Sequence, residues 1–205
     1  MTDLDVFLPM IMPYAGGCAV PTAEAAIITA ARDFCERTRT WRGDDTFNVT
    51  TTSCNVFCAP DYADVFEIES ARLDGQKLTP ISIPDLDRQV PDWRTLEGQG
   101  GTWITQTNRG EVTVVPKCSG SLELQLYLIP SQDAQQLPDF LARDYRRAIA
   151  DGALAEILMI PGQPFFAPDR AQFYSARFDA KVSALFNQQI RGQQRAPSRT
   201  RAQFM

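Results

Sequence analysis

The chain has 205 residues, 44% of them hydrophobic, and a net charge of −5, enough apolar material for one substantial core and too much for a disordered protein. No apolar run approaches the roughly 20 residues that cross a bilayer, and Asp3 and Asp5 ahead of Val6 to Met12 exclude the positive start of a secretory signal. Cys18, Cys35, Cys54, Cys58 and Cys118 are odd in number and scattered, unlike the framework of a small secreted disulfide fold, so synthesis in a reducing cytosol is expected.

Leu4 to Val20 is interrupted by Pro9, Pro13 and Gly16-Gly17, which predicts a short helical turn or an extended arm whose apolar residues still need burial. Pro21 suits the first turn of a helix, and Ala23, Ile27, Ala30, Phe34, Thr38 and Trp41 follow at helical spacing. From about Asp45 to Pro130 the composition shifts to Thr, Val, Ile and aromatic residues punctuated by turn signals, which reads as β-rich. There Phe66–Ile68 and Ala71–Leu73 lead through Asp74-Gly75-Gln76 into Lys77–Ile81, a hairpin pattern. Trp103-Ile104, Val112–Val114 and Leu122–Leu128 supply further strands, the last alternating Leu with polar residues as a strand with one buried face does. Ile83 to Leu96 suits a short helix.

The helical pattern returns at Pro138, with Leu141, Tyr145, Ala148, Ile149, Gly152, Ala155 and Met159 in one stripe as far as Pro161-Gly162. Gly152 costs a helix interior about 1 kcal/mol relative to Ala, so it predicts close approach of another helix. Pro168 opens a third helix, with Asp169 in its first turn, Tyr174, Phe178, Val182 and Leu185 on one face, and Gly192 as its expected end. The last 15 residues hold Arg191, Arg195, Arg199 and Arg201 and no acid, which leaves −9 on the body once those four charges are removed from −5. The expected architecture is α+β: a helical bundle, the N-terminal helix plus two C-terminal helices, from residues 1–42 and 131–192. An inserted β-rich domain occupies 43–130 and an extended basic tail 193–205.

There is no histidine, which removes Ser-His-Asp and Cys-His catalysis and histidine-bearing zinc sites. Phosphate-loop, dinucleotide and calcium-loop patterns are absent too, and Gly98 to Gly101 precedes a strand rather than opening a helix. Cys54 and Cys58 could share a strand face, but a structural zinc needs four ligands, so they read as small buried hydrophobes. Asp44-Asp45, Asp85/Asp87 and Glu67/Glu69 read as solvated faces rather than acid-base pairs. Trp41, Trp93, Trp103, Phe165 and Phe166 are not interleaved with basic residues, which favours packing over nucleic-acid stacking. No catalytic, cofactor-binding or metal-binding residue is assigned, and no cofactor is expected.

The helix Ala30-Ala31-Arg32-Asp33-Phe34-Cys35-Glu36-Arg37-Thr38-Arg39-Thr40-Trp41 resembles the N-terminal helix of the head-to-tail adaptor (connector) proteins of tailed bacteriophages. Ile149 to Leu158, Pro161-Gly162-Gln163-Pro164-Phe165-Phe166-Ala167-Pro168, and the aromatic helix with Phe173, Tyr174 and Phe178 resemble that family in the same order, over about residues 20 to 192. The resemblance implies a non-enzymatic virion protein, made in the host cytoplasm and forming a ring of twelve copies between the portal and the tail, nozzle or tail-tube proteins. DNA passes through its channel without specific binding, and no membrane is involved. It places portal contacts by position on the tail: Arg195, Arg199, Arg201, Phe204 and Met205. A tail terminator or neck-completion protein is the alternative; an enzyme or a nucleic-acid-binding module fits the residues less well.

Overall fold

The computed structural model describes residues 1–190, with side-chain environments through Phe186. The first elements are a two-residue strand β1 (Thr2–Asp3), a 3-10 turn (Leu4–Phe7), α1 (Leu8–Ile11) and α2 (Val20–Thr38). Then come β2 (Arg42–Val49), β3 (Asn55–Phe57), β4 (Ala63–Leu73), β5 (Gln76–Pro80), α3 (Ile83–Gln89), β6 (Trp103–Asn108), β7 (Glu111–Val115) and β8 (Gly120–Pro130). A second two-residue strand, β9 (Gln136–Leu137), precedes α4 (Asp139–Asp144), α5 (Arg146–Ile157) and α6 (Pro168–Ile190). The chain divides into two compact units, Met1–Thr38 with Pro138–Met205, and Arg39–Leu137.

In the helical unit, α2, α5 and α6 pack on one another. Small residues permit this: Ala26, Ala30 and Ala31 of α2 and Ala148, Ala150 and Ala153 of α5 are buried. Gly152 marks the tightest point, because a Cβ there would stand 2.9 Å from Ala30 Cβ and 3.0 Å from the Phe178 ring. The interrupted N-terminal segment is a 3-10 turn followed by one short helix, and its Leu4, Phe7, Ile11, Ala15 and Cys18 are buried.

In the other unit, seven strands run in the order β2-β8-β4-β5-β6-β7-β3, and the two end strands touch, so the sheet curls into a near-barrel. Its core includes Leu73, Leu78, Ile104, Val112 and Val114, with Leu122, Leu124, Leu126 and Leu128, the inward face of β8. The Asp74-Gly75 turn has both φ angles positive (48° and 81°), the two-residue hairpin geometry whose twist matches the flanking strands. β5 and β6 pair in parallel, with α3 in the crossover between them. Leu86, Trp93 and Val115 form a second small core there.

Several expectations need correction. The α+β class stands, but a three-helix bundle with an inserted β-rich domain does not describe the molecule: the β unit is a seven-stranded near-barrel with a core of its own, and the described helices number six. The alternating apolar positions of seven strands suffice to close a curved sheet around themselves, so this body is no appendage of a bundle. The first helix stops at Thr38 because Arg39 takes the left-handed conformation (φ 51°), and Trp41 packs instead on the barrel core. The stripe from Pro138 is two helices, broken at Tyr145 (φ −126°, ψ 7°), whose ring turns to Phe34 at 4.9 Å. The two short strand segments between Phe66 and Leu73 belong to one strand, β4, whose register shifts twice. Residues 191–205, and with them the helix end expected at Gly192 and the extended tail, lie outside the described residues.

Gly152→Val is expected to destabilise the fold by about 1–3 kcal/mol through overpacking against Ala30 and Phe178. Gly152→Ala loses less, since about 1 kcal/mol of helix propensity is regained. Chemical denaturation of the two variants measures both.

Candidate interaction site

Asp85, Asp87, Glu67, Glu69, the tryptophans and the cysteines are engaged in ion pairs, hydrogen bonds or packing. Ser82 Oγ receives the Asp85 backbone N–H at α3's start, and the Asp85 carboxylate binds Arg88 at 2.6 Å. Asp87 accepts from Trp93 Nε1 at 2.7 Å and Arg94 at 2.9 Å, contacts that hold its carboxyl below the usual carboxylate range. Glu67 pairs with Arg39, and Glu69 with Arg42 and the Tyr127 hydroxyl. Trp93 and Trp103 belong to the small core beside α3 and Trp41 to the barrel core, so the tryptophans do not assemble into a stacking platform. All five cysteines are buried. Burial, with a contribution from the Asp45 charge, pushes the Cys58 thiol up to about 11. The residues expected to contact a portal, Arg195, Arg199, Arg201, Phe204 and Met205, lie outside the described residues.

A different feature stands out in the helical unit. A cavity of about 250 Å³ opens between the N-terminal segment, α5 and α6, with walls from Pro9, Met10, Pro13, Tyr14, Leu154 and Tyr174. At its base Asp151, whose side chain is only 10% exposed, meets Arg177 at 3.1 Å. Burial raises the Asp151 carboxyl above the ordinary range, against the opposing pull of Arg177 and then Arg147. Arg177 also lies over Phe173 (5.5 Å) and Tyr174 (6.0 Å), and Tyr174 contacts Tyr14 (6.0 Å) and Phe173 (5.4 Å). Met10, Tyr14 and Phe173 nevertheless remain exposed, Phe173 by 58%. Met, Tyr, Phe and Arg are the side chains enriched in protein interfaces, and here Arg177 is fixed on both sides before any partner arrives. The arrangement offers an apolar, aromatic surface with a preformed charged centre. It brings together no nucleophile and base.

Composition alone did not single this cluster out. Tyr174 reads as a core position of α6, and Asp151 carries no reading of its own. The signal that could have found it is Phe173 and Arg177 four apart on α6, on the flank of the buried stripe.

A family model described as SU10 adaptor protein matches residues 16–202. No curated protein matches the chain.

The Asp151 carboxyl binds its proton more tightly in the folded chain than in the unfolded one. Its contribution is fully present below the unfolded value near pH 4 and is lost as pH rises through the folded value. The stability of the native protein minus that of Asp151→Asn is therefore expected to fall as pH rises above about 4. Paired urea titrations across that range measure it.

Proposed function

Because the chain belongs to the SU10 adaptor protein family of phage head-to-tail adaptors, we propose that it is the ring-forming adaptor that joins portal to tail and surrounds the path of the DNA. The observation that carries this reading is the match itself, which spans nearly the whole chain. In this reading twelve copies form the ring, whose far face meets tail, nozzle or tail-tube proteins. The Met10, Tyr14, Phe173 and Arg177 cluster supports such a role, because exposed Met and aromatic side chains around a fixed arginine have the composition of a protein interface.

Charge supports the DNA path. A body near −9 repels the phosphate backbone, so DNA slides through such a ring instead of adhering to it. The arginines at 195, 199 and 201, with Phe204 and Met205, serve as the portal contact. Each arm alone binds weakly, because ordering it costs conformational entropy. Repetition around a ring raises the effective concentration of every arm and makes the joint attachment firm.

Reconstitution with the portal, imaged by electron microscopy, tests the reading. A twelvefold ring seated on the portal is expected; a subunit bound to the tail end with the portal bare would make it a tail terminator or neck-completion protein. Deleting residues 192–205 is expected to leave the melting temperature of the body unchanged and to weaken portal attachment by about a hundredfold or more, given the avidity of repeated arms. Equal attachment of the truncated chain would remove the tail from this role.

A further inference from the structure

The near-barrel is not closed along its whole length. β2 and β3 are its end strands, joined by a turn in which Thr50 and Ser53 exchange backbone hydrogen bonds. Below that turn they separate around a cavity of about 240 Å³. Phe47, Phe57, Leu126 and Leu128 give it apolar walls, with Asp44 and Asp45 at its side. Phe57 is 69% exposed although it is the largest side chain of its strand.

The direction of the unused backbone groups follows from the ladder. Leu128 donates its backbone N–H to the Trp41 carbonyl, and the β2–β8 register then continues without a shift from Arg42↔Tyr127 to Val49↔Gly120. Hydrogen-bonded pairs alternate with non-bonded ones in an antiparallel ladder, so Gly43, Asp45 and Phe47 bond to β8. Asp44, Thr46 and Asn48 direct their N–H and C=O groups to the open side. One of these donors is covered locally, because the Thr46 N–H donates to the Asp45 carboxylate at 2.7 Å.

We propose that the open edge of β2 is a strand-addition site for an extended segment of a partner protein in which basic residues alternate with apolar ones. The backbone of that segment pairs with Asp44 and Asn48 and with the Thr46 carbonyl, the Thr46 N–H exchanging the Asp45 carboxylate for a carbonyl of the partner. One large apolar side chain fills the cavity beside Phe47 and Phe57, and the basic ones, on the opposite face, meet Asp44, while Asp45 stands on the cavity's face of the strand. Neither of these carboxylates sits in an ion pair among the described residues, whereas the neighbouring Glu67 and Glu69 are both engaged by arginines. That difference selects a cationic partner. It also disfavours a second copy, whose β2 brings two acids and one arginine to the edge instead of a row of basic residues. In the free protein the exposed Asp45 guards the edge, as charges on edge strands do.

The probe is a synthetic peptide as long as β2 that alternates lysine with valine and carries one central phenylalanine, fluorescently labelled and titrated against the full chain. Binding with slowed hydrogen exchange at the Asp44 and Asn48 amides is expected. Thr46→Pro removes an outward N–H while sparing the ladder to β8, and is expected to weaken binding about tenfold. Asp44→Lys, a change at an exposed side chain, is expected to do the same and serves if the proline variant fails to fold. Absence of binding, binding without protection of those amides, or binding unchanged in a folded variant would overturn the proposal. So would self-association through β2 that the Thr46→Pro change abolishes, which would make a second copy the occupant.

Discussion

Three helices meet where residue 152 has no side chain, and the helical unit depends on that absence. Ala30 of α2 and the Phe178 ring of α6 occupy the space a Cβ would need. The spacing there is set by backbone approaching side chain, so neighbouring positions have little latitude. Asp151, the residue before it, is carried to the base of the cavity, and Arg177, the residue before Phe178, is carried to meet it at 3.1 Å. Packing and charge placement are therefore one constraint. A helix pair held farther apart would leave Asp151 buried without its partner, a costly state for a carboxylate.

The β unit has a different organising element. β8 pairs with β2 on one side and β4 on the other along most of its length, and its alternating leucines face the core. A strand flanked on both sides needs no protection of its own. The cost moves to the ends of the sheet, where β3 is short and β2 is long. A three-residue β3 cannot cover an eight-residue β2, and the seam opens for that reason.

How legible this was from sequence varied with the physics involved. Local signals read well: the Asp74-Gly75 turn fixes its own geometry, Gly152 reports a close contact through its cost to a helix, and the Tyr174, Phe178, Val182 and Leu185 stripe is buried as its period requires. Signals decided by distant partners read badly. Trp41 continues the spacing of α2, but a single left-handed residue at Arg39 redirects it into the barrel core. Tyr145 continues the stripe of α5, yet its contact with Phe34 is made at a break in the helix. Arg42–Val49 carries acids and a glycine that local propensity counts against a strand, and only pairing with β8 makes it one. The aromatic and arginine cluster around Asp151 was hidden because its members come from three segments, each unremarkable alone.

The two exposed features differ in how much ordering a partner must supply. Around Asp151 the arginine is already clamped by a carboxylate and two rings, so its conformational entropy is largely lost before association and little remains to oppose binding. At β2 the backbone is held in strand geometry by β8, and its outward groups are aligned by the same ladder. Both surfaces are therefore rigid on the chain's own side. An extended partner segment still has to surrender its own freedom, so association at β2 depends on how many backbone pairs form along the edge. A long edge strand beside a short one provides that number, and the acids upon it restrict which chains can use it.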